Sequence, residues 1–167
     1  SRGREALADS LATVVAKGRM SASDRLGVEE RITWSPNLAL ASGAMLVIEA
    51  IVENLEAKRR LFGGLARVVR VDALLASNTS SLSITDLAEP LIKRGRFLGL
   101  HFFNPVPAMR LVEIVAGPQT DPAAIDAAAE LMRAWGKHPV RVADVPGFIV
   151  NRVARPYYGE AFAALGE

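Results

Sequence analysis

His101 is one of two histidines in this chain, and it is carried by an apolar run, Phe97 to Phe103, that ends at Asn104-Pro105. Twelve positions on, Glu113 interrupts a second apolar run, Leu111-Val112-Glu113-Ile114-Val115. Pro105 and Pro107 lie between the runs, so the chain turns there. If the runs are neighbouring strands, the imidazole and the carboxylate face each other. A carboxylate on one ring nitrogen fixes the tautomer and stabilises the imidazolium, which leaves the other nitrogen to take a proton. That is general-base chemistry on a substrate hydroxyl. The same residues also fit a plainer reading: a packed histidine at a strand end, and a glutamate facing water on an alternating strand.

The elements that must position this pair follow from hydrophobic period and breakers. Residues 4–18 read as a helix, with Leu7, Leu11, Val14 and Val15 at helical spacing and Lys17-Gly18 at its end. Ser21, with Asp24 three residues on, marks the start of a short second helix. Ile32-Thr33-Trp34 reads as a short strand ended by Ser35-Pro36-Asn37, and Leu38 to Gly43 as a helical turn. Met45 to Ile48 is a continuous apolar run, expected to be a strand buried on both faces. A helix over Glu53 to Val69, a strand over Ala73 to Asn78, a helix over Ile84 to Ile92 broken near Pro90, and the Phe97 to Phe103 strand follow. Strand, helix, strand, helix, strand implies a parallel sheet with right-handed crossovers. Beyond the Leu111–Gly117 strand, Asp121-Pro122 starts an Ala-rich helix to Trp135, closed by Gly136. Pro139 to Ala143 is a strand, and Phe148 onward a helix apolar on more than one side.

Composition bounds the class. The 167 residues are 50% hydrophobic and 23% charged, enough for one domain with a real core. With no cysteine, disulfides, thiolate catalysis and Cys-based metal sites are excluded. No apolar run has the length of a membrane span, and the reading expects no signal peptide, which is compatible with the cytoplasm. The net charge is +2, and aromatic residues are not interleaved with the basic clusters. A phosphate-bearing ligand therefore fits better than nucleic acid. No metal-ligand cluster, Gly-x-Gly-x-x-Gly turn or P-loop occurs.

Buried parallel strands present ligand-contacting residues at their carboxyl ends. Three stretches qualify: Glu49 to Asn54, Asn78-Thr79-Ser80-Ser81, and His101 to Asn104. Asn78 to Ser81 equally fits a turn followed by a helix cap. Asn151, polar within Phe148 to Val153, needs partners if buried; it either bridges helices or meets a substrate oxygen. His138 reads as structural or surface.

Four segments, His101-Phe102-Phe103-Asn104-Pro105, Leu111 to Val115, Ser77 to Leu82 and Pro146-Gly147-Phe148-Ile149-Val150-Asn151-Arg152, together with Glu49 to Leu55, resemble the signature segments of the 3-hydroxyacyl-CoA dehydrogenase family in order along nearly the whole chain. The resemblance implies an α/β, Rossmann-like, mostly parallel sheet with flanking helices, followed by the start of an all-helical C-terminal domain. It implies NAD as cofactor and oxidation of the 3-hydroxyl of a 3-hydroxyacyl-CoA to the ketone, in fatty-acid or phenylacetate-type aromatic-acid degradation. His101 is then the general base and Glu113 its partner; Ser80 and Asn151 bind the substrate near the reacting oxygen. Glu53, Lys58, Ser80 and Asn104 match cofactor-side positions. Arg2 and Arg4 fall near lysines of the family that contact CoA phosphates.

The family pattern also places a first strand and glycine-rich turn before the segment matching residues 1–20, and an all-helical domain after Asn151 that usually makes a homodimer. On that pattern residues 1–145 are the NAD-binding domain without its first strand and glycine-rich loop, and 146–167 the first helix of the C-terminal domain. Val153 to Glu160 is most similar to bacterial members acting on 3-hydroxybutyryl-CoA or 3-hydroxyadipyl-CoA. Two other readings stay open: a related sugar-acid or hydroxy-acid dehydrogenase, and a truncated, non-catalytic binding domain.

Overall fold

The computed structural model describes residues 2–165, with the side chain of Arg2 outside that description. The chain forms two compact units, Ser1–Asn37 and Leu38–Glu167.

In the first unit, α1 (Arg2–Ala16) is followed by α2 (Ala22–Glu30). Gly18 turns the chain with a φ of 65°, a left-handed conformation that glycine adopts without penalty. The start of α2 is a complete capping box: Ser21 Oγ accepts the Asp24 N–H at 3.0 Å, and the Asp24 carboxylate accepts the Ser21 N–H. The expected strand Ile32-Thr33-Trp34 does not form. The Ile32 N–H bonds back to Glu29 O, extending the turn after α2, and among the described residues nothing pairs with Thr33 or Trp34 as a strand. Trp34 instead carries the Arg4 guanidinium 5.5 Å from its ring centroid, a cation–π contact.

The second unit is a five-stranded sheet in the order β1 (Leu46–Glu49), β2 (Leu74–Ser77), β3 (Phe97–Phe102), β4 (Leu111–Ala116), β5 (His138–Ala143). The pairs β1–β2, β2–β3 and β4–β5 are parallel, and β3–β4 is antiparallel. Helices α3 (Leu55–Leu65), α4 (Ile84–Leu87) and α5 (Pro122–Ala134) make the connections, and α6 (Val150–Ala164) follows the sheet.

The pleat divides the core. Leu75, Phe97 and Val115 point to one face with Phe62, Ile84, Leu87 and Phe148. Leu74, Leu98, Leu100, Val112 and Ile114 point to the other, against Ala124, Ala128 and Met132 of α5. The alternation has period two, as a strand demands. Because β1 lies at the edge of the described sheet, its apolar residues are half-buried, not enclosed on both faces as expected.

Several ends differ from the sequence reading. α3 stops at Leu65, just beyond Gly63-Gly64, where helix propensity is poor. α4 is a single turn and does not reach Pro90; Ile92 is left exposed. Asp121 does occupy the N-cap of α5 with Pro122 inside the helix, but its side chain makes no capping bond. Its backbone N–H ties to Gly95 O at 2.7 Å.

Gly99 has a specific reason. A Cβ there would lie 2.9 Å from Ile84 Cδ1 and 2.9 Å from Val115 Cβ. Only glycine lets α4 sit this close to β3 and β4.

Candidate active site

The antiparallel register of β3 and β4 sets His101 directly opposite Glu113. Counting by two from Phe97 through Gly99, His101 falls on the Phe148 face of the sheet. His101 Nδ1 lies 2.6 Å from Glu113 Oε2, and the two residues are 6% and 1% exposed. The other carboxylate oxygen, Oε1, accepts the Ile149 N–H at 3.0 Å and the Val150 N–H at 2.9 Å. Those amides start α6, where N–H groups have no helical partner and the helix dipole favours an anion. All these contacts suit a carboxylate acting as acceptor only.

A strained turn aims the amides. Gly147 has a φ of 79° and Phe148, a non-glycine residue, a φ of 50°. Left-handed backbone at a side-chain-bearing residue costs about 1–2 kcal/mol. Phe148 is 2% exposed and its ring stands 5.6 Å from His101, so burial holds the turn in place. Phe103, at 4.5 Å, flanks the imidazole as well. His101 Nε2 has no hydrogen-bond partner among the described residues, and none of their buried side-chain nitrogens or oxygens is unpaired. Nε2 is therefore the atom through which this histidine meets solvent.

Ser80 and Asn151 come together. Asn151 Nδ2 donates to the Ser80 carbonyl at 3.2 Å, linking the first turn of α6 to the loop after β2. Asn78, also past β2, accepts the Phe102 N–H at 2.8 Å and so fixes the end of β3 beside His101.

A second network lies at the carboxyl ends of β1 and β2. The Lys58 ammonium, 1% exposed, is enclosed by Glu49 Oε1 at 2.6 Å and Glu53 Oε2 at 3.2 Å. Glu53 Oε1 accepts from Thr79 Oγ1 at 2.5 Å, the Ser80 N–H at 3.0 Å and Ser81 Oγ at 3.3 Å. Partial burial pushes the Glu53 carboxyl up, but the Thr79 hydroxyl, the Ser80 amide and Lys58 together outweigh it and hold it below its ordinary range. Glu53 keeps over a third of its side chain exposed and Ser80 is exposed. Glu53, a partly exposed carboxylate backed by an ammonium, can accept hydroxyl donors such as those of a ribose.

Other expected positions stand apart. Asn104 is exposed past the end of β3 and makes no hydrogen bond among the described residues. Arg4 is engaged with Trp34 in the first unit, and the Arg2 side chain lies outside the described residues. Among the described residues no group of three His, Cys, Asp or Glu is placed to hold a metal ion, and no helix is long and apolar enough to cross a membrane.

Asp144 escaped the sequence reading. Its carboxylate accepts from Ser83 Oγ, the Ile84 and Thr85 N–H groups and Thr85 Oγ1, at 2.6–2.9 Å. Partial burial pushes this carboxyl up, and the Thr85, Ile84 and Ser83 hydrogen bonds more than reverse the effect, leaving it lowered. It thus ties the residue before the Gly147 turn to the start of α4. No spacing signal marks it, because its partners lie about 60 residues away.

The carboxyl ends of the strands, where a twisted α/β sheet of this type binds its ligands, carry both networks. Residues 1–145 match the family described as "3-hydroxyacyl-CoA dehydrogenase, NAD binding domain", and the chain belongs to that family. It is 46% identical over 153 residues to 3-hydroxyadipyl-CoA dehydrogenase of Escherichia coli K12, covering 92% of this chain and 32% of that protein. It is 50% identical over 116 residues to the human mitochondrial hydroxyacyl-coenzyme A dehydrogenase, covering 70% of this chain and 37% of that one. The chain therefore spans about a third of the length of these relatives. The crystal structure of 3-hydroxybutyryl-CoA dehydrogenase from Escherichia coli K12 superposes with a TM-score of 0.94 at 44% identity, covering 99% of this chain and 35% of that one. That of (S)-3-hydroxybutyryl-CoA dehydrogenase from Ralstonia eutropha gives 0.95 at 38% identity, covering 99% and 58%.

Proposed function

We propose that this chain serves the NAD-dependent oxidation of a 3-hydroxyacyl-CoA to the 3-ketoacyl-CoA, with His101 as general base. The observation that carries the reading is the 2.6 Å contact of His101 Nδ1 with Glu113 Oε2, in a pair whose other ring nitrogen is free to reach a ligand. In the oxidative direction His101 Nε2 takes the proton of the 3-hydroxyl. Glu113, held in place by the Ile149 and Val150 amides, stabilises the imidazolium that forms. NAD, when bound, supplies the acceptor for the hydride from the substrate C3. Phe103 and Phe148 flank the imidazole. Ser80 and Asn151 orient the substrate oxygens. Glu53, Lys58, Asn104 and Ser80 bind on the cofactor side. Arg2 and Arg4 are assigned to the CoA phosphates.

The same reading makes residues 1–145 the dinucleotide domain and 146–167 the start of a helical domain. The exposed apolar residues Val153, Tyr157 and Phe162 of α6, with Leu165 at its C-cap, support a helix that buries its face against further protein in a homodimer. The names of the relatives support a short or dicarboxylic acyl chain, and one, a fatty acid oxidation complex subunit alpha, supports fatty-acid degradation; aromatic-acid degradation and a cytoplasmic setting belong to the same proposal.

The test uses the full-length protein and follows nicotinamide absorbance with NADH plus acetoacetyl-CoA, then plus a dicarboxylic 3-ketoacyl-CoA. Oxidation of NADH is expected with at least one thioester, and the ratio of rates assigns the acyl branch. No oxidation with either, but reduction of NAD by free sugar acids or hydroxy acids, would replace this reading with the related dehydrogenases. Inactivity with all of them would make the chain a binding domain.

A further inference from the structure

Glu49 is a carboxylate with 3% of its surface exposed, and the chemistry above does not use it. It ends β1 and carries two hydrogen-bonded arms. Oε1 accepts the Lys58 ammonium at 2.6 Å and the Ile51 N–H at 2.6 Å. Oε2 accepts Ser77 Oγ at 2.7 Å. The first arm continues from Lys58 to Glu53, and from Glu53 to the Ser80 N–H. The second continues from Ser77 Oγ, which accepts the Thr79 N–H at 3.2 Å. Both arms end on the same turn, the one that presents Ser80.

A buried ion pair adds little to stability over an apolar isostere, but its loss is costly and its geometry is specific. Here the cluster holds one ammonium between two carboxylates. Glu49 is the enclosed one and Glu53 the one that reaches the surface. With Glu49 charged, Lys58 is shared, and Glu53 keeps Oε1 for the Ser80 turn. Without that charge, Glu53 is the one carboxylate left beside Lys58, so the hold of Lys58 on Glu53, and with it the Thr79 and Ser80 contacts, is expected to change.

We infer that Glu49 is a positioning residue for the reaction: it sets Lys58 and Ser77, and through them the orientation of Glu53 and the Ser80 turn toward the cofactor. This rests on the reaction proposed above, with Glu53 on its cofactor side.

The experiment compares full-length wild type with Glu49→Gln, which keeps the shape and removes the charge. Four readings are taken: Kd for NADH by fluorescence, kcat and KM with the thioester, the pH profile, and amide hydrogen exchange of residues 78–82. A displacement of about 1 Å at such a turn is expected to lower kcat/KM about 10- to 100-fold. NADH binding should weaken by about tenfold and exchange at 78–82 should accelerate. The limb of the pH profile set by His101 should not move, because Glu49 does not touch that pair. Glu49→Asp should recover part of the NADH affinity, since it keeps the charge. A Glu49→Gln protein that melts earlier yet keeps wild-type Kd and kcat/KM would overturn the inference, leaving Glu49 a purely structural residue. If Glu49→Gln does not fold, Ser77→Ala cuts the second arm alone; unchanged exchange at 78–82 and unchanged NADH affinity there would overturn it equally. If wild type turns over no thioester but Glu49→Gln still loses NADH affinity, the reaction assigned above fails and the positioning role stands.

Discussion

Glu49, at the carboxyl end of β1, and Glu113, on β4 beside the carboxyl end of β3, are both almost wholly buried carboxylates, yet their partners differ in kind. Glu113 is shared between an imidazole and two backbone amides. Glu49 is shared between an ammonium, an amide and a hydroxyl. The first arrangement tolerates a change of charge next to it, because fixed amide dipoles keep the carboxylate solvated whether or not the imidazole is protonated. The second is static: the lysine charge balances the carboxylate, and the cluster serves geometry. A carboxylate's role in this fold is thus read from its neighbours more than from its burial.

The sharpest way to break the comparison is to remove each centre and ask for opposite signatures. His101→Gln is expected to lower kcat by about 10²- to 10⁴-fold, the range of general-base catalysis, and to leave NADH affinity near wild type. Steady-state kinetics and fluorescence titration read both, and an active His101→Gln enzyme would remove the base assignment. Lys58→Met should instead cost stability, about 3–5 kcal/mol, because two carboxylates are left facing each other without a cation. Urea unfolding measures it, and a loss under 1 kcal/mol would mean that the cluster relaxes to solvent.

Gly99→Ala tests the backing of the dyad. The added methyl meets Ile84 and Val115, and about 1–3 kcal/mol is expected from the overpacking. Because β3 carries His101, the variant should also lower kcat; a stable variant with unchanged kcat would uncouple the two. The smallest effect is at Asp144. Asp144→Asn should cost about 1 kcal/mol, since its four hydrogen bonds are partly exposed to water. Its folded pKa lies below the ordinary carboxylate value, so its contribution is present above about pH 4 and is lost as pH falls through the lowered folded value. Glu53, also lowered, acts in the same direction. Urea melts at pH 7 and pH 3 should show a smaller gap between wild type and Asp144→Asn at pH 3.

Much of the fold follows from local chemistry and was open to reading. The capping box at Ser21 and Asp24, Pro122 and Gly136 about α5, and the apolar runs of β2, β3 and β4 each carry their own signal over a few residues. The His101–Glu113 pairing was legible as a possibility: the turn prolines suggest that the runs come back on each other, and the antiparallel register then sets the two side chains opposite one another. Ile32-Thr33-Trp34 shows where this stops. The residues have strand propensity, but a strand exists only with a partner for its N–H and C=O groups, and none of the described residues supplies one. Likewise the half-buried state of β1 depends on its place at the edge of the sheet, which no local pattern encodes.

By itself the chain determined most of the elements, their order, the residues able to do acid–base chemistry, and the resemblance those residues carry as a set. Tertiary structure alone decided what surrounds them. It turned Phe148 into a left-handed residue so that two amides reach Glu113, buried Lys58 between two carboxylates, and brought Asp144 to the start of α4. The physical reason is range: caps, turns and periodicity act within one or two turns of chain, whereas a buried charge is satisfied by whichever distant donors the packed sheet sets beside it.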